Sequence, residues 1–226
     1  MRFRLRTLLI VVSLTAMALA AWRPVERGRA RQSAIRDILA KGGEIEFDRD
    51  QPATDLVTRC LRFAERITSA DYTRTVREVR FGKGIEDADI AALAVLSEAQ
   101  SINLSYCEQI SDKGVEWVGR CSRLEELWLY RNDPDGPTNH TPPRFNFVTQ
   151  GRITDRSLEI VAQCKHLRVL GLYDNTFTDE GLTHLHSLGC LEKVGLCGTH
   201  VTEDGAASLK AVLPNCKVEW IELSDK

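Results

Sequence analysis

Motifs that hold catalytic groups are missing from this sequence. It has no Gly-rich phosphate loop, no G-x-S-x-G nucleophile elbow and no Cys/His cluster with zinc-ligand spacing. The nearest candidates for chemistry are Asp179, His184, His186 and Cys190. Two steps of about 100° along a helix point the two imidazoles apart, which suits neither a joint metal site nor a proton relay. We therefore predict that the protein is not an enzyme, has no catalytic residue and needs no metal or cofactor.

A basic surface of the kind that binds nucleic acid is also lacking. The net charge is −2, and it divides unevenly along the chain. Residues 1–31 carry seven arginines and one glutamate, whereas the rest of the chain carries 23 basic and 31 acidic side chains. Nucleic-acid binding depends on neutralising phosphates with lysine and arginine, so the acidic body predicts no nucleic-acid partner.

Cysteines that could pair as disulfides are not evident either. The chain has seven cysteines, an odd number, and no C-x-x-C motif. Cys107, Cys121, Cys164 and Cys197 recur at fixed places in the repeat described below, and equivalent helix positions in neighbouring coils lie beyond comfortable disulfide reach. We expect most of the cysteines to be small buried thiols.

Only one long apolar run is present, at residues 7–22 (TLLIVVSLTAMALAAW), and arginines flank it on both sides. Two interpretations stay open. The run is either a short single-pass N-terminal membrane anchor, or a signal peptide that is cleaved after the small-x-small sequence at 18–20. The first places the protein at a membrane through residues 7–22, and the second exports it.

The sequence does contain a repeat with a period of roughly 24 residues. Each copy of one short phrase follows an apolar-x-apolar triplet, and the copies stand at 110–114 (ISDKG), 153–157 (ITDRS), 177–181 (FTDEG) and 201–205 (VTEDG). The triplet puts two side chains on one face of a strand. The serine or threonine can cap a helix, and the following acid interacts favourably with the helix dipole. Such a period predicts a solenoid in which each coil is one strand and one helix.

The columns of this repeat resemble those of leucine-rich-repeat proteins, and more closely their cysteine-containing subtype. The resemblance rests on C-x-x-L-x-x-L-x-L-x-x-N at 121–132 and on I-T-D at 153–155, and it covers roughly residues 76–223. It implies an α/β fold, a right-handed leucine-rich-repeat solenoid with short parallel strands on the concave face and helices on the convex face. The basic tip, apolar run and repeats together look like a group of bacterial membrane-anchored leucine-rich-repeat proteins.

The pattern divides the chain into three segments. They are the anchor or signal segment at 1–31, an N-terminal helical cap at 32–75, and the solenoid at 76–226 with an insertion at 133–150. A cap is expected because the first coil would otherwise expose its apolar end. We predict that it consists of a helix at 33–41, a short strand at 44–47 and a second helix at 55–67.

Strand residues between the buried positions point to the predicted concave face, where a partner can bind. Trp128 stands there beside two glycines, and the insertion leaves its strand directly afterwards. Exposed aromatic residues are common in binding hot spots, and long loops on compact scaffolds are often functional. The predicted partner-binding residues are Asn103, Trp128, Tyr130, Arg131, Phe145, Phe147 and Tyr173. Alternatively, the aromatic rings only pack on one another or on the insertion.

These features favour a membrane-tethered protein–protein interaction module. Its unknown partner, a protein or peptide, would bind the concave face and the insertion loop. One alternative is a secreted or periplasmic leucine-rich-repeat binding protein that is released by signal cleavage. Another is a substrate receptor of the ubiquitin-ligase type, in which cysteine-containing repeats are common, although residues 33–75 are short for an adaptor-binding domain.

Amino-terminal sequencing of the mature protein distinguishes the anchor from the signal peptide. If residues 7–22 anchor the chain, the mature protein keeps its first residues and fractionates with membranes. A mature chain that begins near Ala21 would instead demonstrate cleavage and contradict the anchor.

Overall fold

The structure is a computed structural model that describes residues 26–48, 74–130, 152–173 and 176–221. Residues 26–40 are helical and form α1. The elements that follow are β1 (Glu44–Phe47), β2 (Val76–Arg80), α2 (Asp87–Ile90), β3 (Ser101–Asn103), α3 (Asp112–Val118), β4 (Glu126–Tyr130), α4 (Asp155–Val161), β5 (Val169–Tyr173), α5 (Asp179–Leu182), β6 (Lys193–Gly195), α6 (Glu203–Val212) and β7 (Lys217–Glu219). Short 3-10 helices at Ala91–Ala94 and Thr183–Ser187 extend α2 and α5.

The described strands lie side by side in chain order in one seven-stranded sheet. Strands β2 to β7 are parallel, and β1 pairs antiparallel with β2. Each strand from β2 to β6 leads to a helix, as the repeat predicted. Strand β4 pairs directly with β5, which brings Tyr130 opposite Tyr173. The right-handed sense of the solenoid stays a prediction.

One continuous core runs through the stack between the sheet and the helices. The alternating strand positions form a fully buried column that consists of Val79, Ile102, Leu127, Leu170 and Val194. The helices add buried apolar residues on the opposite side, for example Leu158 and Val161 in α4. Burying a side chain of this size contributes about 1.5–3 kcal/mol, so the column supplies much of the favourable free energy of folding.

The N-terminal end of the stack is closed by α1 and β1. Helix α1 starts earlier than the predicted 33–41 and crosses the expected segment boundary at residue 32. Its residues Ile35 and Ile38 are buried against the first coil, and Arg31 binds Glu98 at 2.7 Å. Strand β1 confirms the predicted strand at 44–47. The predicted second helix at 55–67 lies outside the described residues.

A row of aspartates joins each coil to the next, and we call this row the aspartate ladder. Its members are Asp87, Asp112, Asp155 and Asp179, each the first residue of its helix. Each carboxylate accepts two hydrogen bonds from the N-cap residue of the following coil, one from the backbone N–H and one from the side-chain hydroxyl. In Asp155, the two distances to Thr178 are 3.0 and 2.6 Å.

The aspartate ladder gives the acid of the repeated phrase a second role. The sequence predicted a local effect of each acid on its own helix, whereas the carboxylate also binds the next coil. The hydroxyls of Ser111, Thr154 and Thr202 accept bonds from their own helices, as predicted, but that of Thr178 makes no such bond. A hydrogen bond to a charged group contributes about 1.5–3 kcal/mol, so the ladder adds directional contacts to the apolar stack.

The glycine of the phrase makes room for this carboxylate. A Cβ at Gly114 would lie 2.6 Å from Asp87 Oδ1, and at Gly181 and Gly205 it would also fall inside contact distance of the aspartate in the preceding coil. In the coil with the phrase ITDRS, Ser157 takes the place of this glycine. It is fully buried and donates a hydrogen bond of 2.5 Å to Asp112 Oδ1.

The first coil departs from the phrase, and no described coil before it supplies an aspartate. Asp89 stands in its glycine column and takes two other roles. It accepts a hydrogen bond of 3.0 Å from the Glu86 N–H, and it binds Lys41 Nζ at 2.6 Å. Lys41 follows α1 directly. The column that holds a small glycine in the other coils therefore holds, in the first coil, an aspartate that binds the N-terminal cap.

None of the helices in the described part of the chain is long and apolar enough to cross a membrane. The predicted membrane segment, residues 7–22, lies outside the described residues.

We expect Gly181→Ala to lower the free energy of unfolding by about 1–3 kcal/mol, the usual effect of forcing an extra methyl group into a packed site. The methyl group would collide with the Asp155 carboxylate, although alanine by itself favours a helix. Chemical denaturation monitored by circular dichroism measures the change. Gly189→Ala is the matched control because a Cβ there meets nothing within 4 Å. Equal stability of the two variants would contradict the spacing role of Gly181.

Candidate binding surface on the sheet face

The solvent side of the sheet carries two rows of side chains that alternate with the core positions. One row is Glu78, Ser101, Glu126, Val169, Lys193 and Lys217, and the other is Arg80, Asn103, Trp128, Gly171, Gly195 and Glu219. Both rows have the register that the repeat predicted. This surface, which corresponds to the predicted concave face, is called the sheet face below.

Two aromatic rings lie across glycines in the middle of the sheet face. A Cβ on Gly171 would stand 2.5 Å from Trp128 Cε3 and 3.2 Å from Tyr173 Cε2, so the two rings meet above this residue. The Tyr173 ring also extends over Gly195 on the next strand. We call Trp128 and Tyr173 the aromatic strip. The rings fill the space that the glycines leave.

The aromatic strip is held in place but remains accessible. Trp128 and Tyr173 are both partly exposed, and each makes further contacts within the chain. Rings fixed in this way present a large apolar surface and lose little conformational entropy when a partner covers them.

Charges at the two ends of the sheet face are paired within the chain. At the N-terminal end, Arg80 binds Glu78 at 2.5 Å and Glu44 at 3.2 Å. These carboxylates hold the pKa of Arg80 above its ordinary value, with the Glu78 hydrogen bond as the largest contribution. At the C-terminal end, Glu219 binds Lys193 at 3.0 Å and Lys217 at 2.7 Å.

The same pairing lowers the pKa of Glu219. Partial burial by itself would raise this pKa, but the hydrogen bonds and charges of Lys217 and Lys193 outweigh that effect. The carboxylates at both ends are therefore paired with cations, although one carboxylate is in excess at the N-terminal end and one ammonium group at the C-terminal end.

Glu126 is the exception among the charged residues of the sheet face. Its side chain is exposed, and its hydrogen bond within the described residues is to the Ser101 hydroxyl at 3.3 Å. No described lysine or arginine forms an ion pair with it. It lies two residues before Trp128 and therefore on the same side of β4. A carboxylate without a described cationic partner thus lies next to the aromatic strip.

Sequence reasoning placed Glu126 in its row without assigning it a role. The available signal was its row, in which its neighbours Ser101 and Val169 carry no positive charge. The sequence did not indicate that the other acids of the sheet face form ion pairs. Arg80 and Glu44, for example, are brought together only by the antiparallel pairing of β1 with β2.

The predicted site residues have different outcomes. Trp128 and Tyr173 come together, and Asn103 lies beside Trp128 on the neighbouring strand, where its Oδ1 accepts a hydrogen bond of 2.8 Å from the Ser105 N–H. The backbone of Tyr130 pairs with Tyr173, but its side chain is outside the described part of the structure. Three further predicted residues lie outside the described residues, namely Arg131, Phe145 and Phe147.

The groups considered for catalysis do not assemble into one described site. The Asp179 carboxylate is taken up by Thr202 in the aspartate ladder. His184 and His186 lie in the short 3-10 helix, where two steps again point the imidazoles apart. Within the described residues, no group of three or more His, Cys, Asp or Glu side chains is arranged to hold a metal ion.

A groove lies at the N-terminal ends of the parallel strands. Its charged lining includes Glu125, Arg168 and Glu192, and the exposed Cys190 lies in the same groove. Arg168 binds Glu192 at 2.8 Å and Glu125 at 3.5 Å, so these three charges largely satisfy one another.

No disulfide joins the six described cysteines, and five of them are buried, as the sequence predicted for most of them. Burial raises the pKa of Cys107 and Cys121 to about 12 and that of Cys164 to about 11. Their thiols approach backbone carbonyls, for example Cys107 Sγ at 3.6 Å from the Gly82 oxygen. The Cys107 thiol thereby contacts the backbone of the turn that follows β2.

The strand order, the constant register and the repeated contacts at the helix starts define a leucine-rich-repeat solenoid, as the sequence predicted. No protein-family model matches the chain, and no curated protein matches it.

Solved structures that resemble the chain include a leucine-rich-repeat protein of Leptospira interrogans, at 16% identity and a TM-score of 0.39 over 61% of this chain and 28% of that one. They also include internalin C2 of Listeria monocytogenes, at 21% identity and a TM-score of 0.40 over 60% of this chain and 50% of that one. Another internalin of Listeria monocytogenes has 16% identity and a TM-score of 0.36 over 66% of this chain and 47% of that one. The chain thus spans half or less of each of these proteins.

The thiol environments predict selective alkylation. With iodoacetamide at pH 8, we expect Cys190 to react while Cys107, Cys121 and Cys164 stay unmodified, because the buried thiols are inaccessible and hold their protons. Peptide mass spectrometry measures each site. If Cys121 were modified as fast as Cys190, the burial of Cys121 would be contradicted.

The same pKa shifts predict a loss of stability at high pH. The unfolded chain ionises these thiols near their ordinary pKa of 9.0, whereas the folded chain holds the protons until about pH 11–12. The stabilisation is therefore complete below pH 9 and declines as the pH rises towards 12. Denaturant titrations at a series of pH values measure it. Replacing Cys121 with alanine should make the decline shallower.

Proposed function

We propose that the protein is an interaction module whose sheet face binds a protein or peptide. The observation that carries the proposal is the aromatic strip, in which Trp128 and Tyr173 lie over Gly171 and Gly195 and remain partly exposed. Aromatic residues that are fixed by their neighbours are the usual anchors of protein interfaces. The solenoid provides a continuous surface on either side of them.

The charges of the sheet face support a partner that presents a lysine or arginine. At both ends of the face the carboxylates are paired with cations of the chain, whereas Glu126 has no described cationic partner. A cationic side chain placed there reaches the carboxylate and the Trp128 ring together, which combines an ion pair with a cation–π contact. Apolar residues next to that cation would cover Tyr173.

The insertion supports the same location. It begins shortly after Tyr130, at the end of the strand that carries Trp128 and Glu126. Arg131 therefore connects this strand to the insertion, and Phe145 and Phe147 lie within the insertion. We propose that these residues add to the contact with the partner.

Residues 7–22 support delivery of this module to a membrane or across it. We propose a membrane-tethered module with a single N-terminal anchor. Export with a cleaved signal peptide is the alternative, and it leaves the binding surface the same.

A peptide library displayed on phage tests the partner class. Panning against the full-length protein in detergent should enrich sequences with lysine or arginine beside an apolar or aromatic residue. For a selected synthetic peptide, we expect Trp128→Ala to weaken binding by about 30-fold or more and Glu126→Gln by about tenfold, as for central interface residues. Isothermal titration calorimetry measures both affinities.

Matched variants on the helix side control for damage to the fold. Trp117 and Glu159 lie on the helices, and Trp117→Ala and Glu159→Gln should leave the affinity unchanged. Thermal unfolding of every variant separates a lost contact from a lost fold. Peptides that bind wild type and Trp128→Ala equally well would contradict the sheet face as the binding surface. If the selected peptides are not enriched in lysine or arginine, only the proposed role of Glu126 is contradicted.

A further inference from the structure

The last described strand, β7, leaves one edge of the sheet open. Strand β7 uses the Lys217 N–H and the Glu219 carbonyl to bind β6, at 2.7 and 2.8 Å. Successive residues of a strand direct their backbone groups to opposite sides, so the N–H and carbonyl of Val218 point away from β6. No described strand lies on that side. This edge can therefore accept one more strand.

The side chains around β7 are less well covered than their equivalents in the stack. Val194 and Leu196 of the preceding coil are fully buried, whereas Val218 and Trp220 are only partly buried. On the same end of the stack, Val212 and Ile221 remain 46% and 47% exposed. In the inner coils, the next coil covers such residues. Apolar surface and open backbone groups thus coincide at this end.

The charges of β7 select one arrangement of a second strand. Lys217 and Glu219 flank Val218, point to the sheet face and pair with each other at 2.7 Å within the chain. A second strand can extend this ion pairing. Suppose that a second copy of β7 pairs antiparallel with the first and that the two Val218 residues lie opposite each other. Lys217 of each copy then lies opposite Glu219 of the other copy. A register centred on residue 217 would instead place the two Lys217 side chains opposite each other, and one centred on residue 219 would do the same with the two Glu219 side chains.

The backbone groups favour the same register. Antiparallel strands contain residue pairs that exchange both of their hydrogen bonds. The outward N–H and carbonyl of Val218 can make such an exchange with those of the other Val218. The two valine side chains then lie next to each other on the core side of the enlarged sheet.

We propose that two copies of the chain associate through their β7 strands, antiparallel and related by a twofold axis at Val218. The interface is isologous, because the same surface is used on both copies, so it closes at a dimer. It is small, and we expect a weak association with a dissociation constant in the micromolar range, roughly 1–100 μM, as for interfaces below the standard size. The sheet face and its aromatic strip stay accessible in both copies.

Sedimentation of the full-length protein in detergent, with concentrations that span this range, tests the proposal. Wild type should pass from monomer to dimer. Val218→Pro removes a backbone N–H that makes no bond to β6, and proline is tolerated on edge strands. This variant should remain monomeric with near-normal thermal unfolding. A wild type that stays monomeric, or that grows beyond a dimer, overturns the proposal.

Complementary charge variants test the register itself. Lys217→Glu and Glu219→Lys each place like charges opposite one another, and each should weaken self-association by about tenfold or more, since directly opposed like charges destabilise strand pairs. Mixed together, the two variants oppose unlike charges at both positions, so the mixture should form heterodimers. Lys113→Glu, an exposed helix position, is the control for the change in net charge.

The mixing result also separates a lost interface from a damaged fold. If each variant alone is monomeric and the mixture dimerises, the pairing of 217 with 219 is supported. If Lys217→Glu remains as dimeric as wild type, or if folded variants fail to associate when mixed, the proposed register is wrong. The outcome is independent of the peptide-binding test, because none of these substitutions touches the aromatic strip.

Discussion

The contact on which the stack depends is the pair of hydrogen bonds between each aspartate and the cap of the next coil. Apolar residues alone would allow neighbouring coils to slide, because a hydrophobic contact has no preferred direction. The carboxylate of Asp155, for example, fixes both the backbone and the side chain of Thr178. Repeating this contact down the helix starts keeps the coils in one register, and the glycine that follows provides the space it needs.

That register determines what the sheet face can present. Because β4, β5 and β6 stay in step, the Trp128 ring crosses Gly171 and the Tyr173 ring crosses Gly195. A shift of one residue would turn these side chains into the core. The ladder on the helix side and the aromatic strip on the sheet side are therefore linked, although they share no residue.

Ends of the stack obey different constraints from its middle. No described coil before the first one supplies an aspartate, and Asp89 in its glycine column binds Lys41 of the N-terminal cap. At the other end, no described strand lies on the far side of β7, where the backbone N–H and carbonyl of Val218 point outwards. Among the described residues, α1 and β1 therefore cover one end of the stack, and the outer strand at the other end has no described partner. The proposed dimer uses this second end, while partner binding uses the face between the two ends.

Sequence alone determined the repeat, the strand and helix order, the rows of the sheet face and the burial of most thiols, because strand alternation and helix periodicity are local properties of the chain. It placed Trp128 and Tyr173 on one face for the same reason. Only the tertiary structure decided that Asp155 binds the next coil, that the rings lie over the glycines, and that Glu126 lacks a described cation while the other acids of the face are paired. These outcomes depend on distances between residues more than twenty positions apart, which no local pattern specifies.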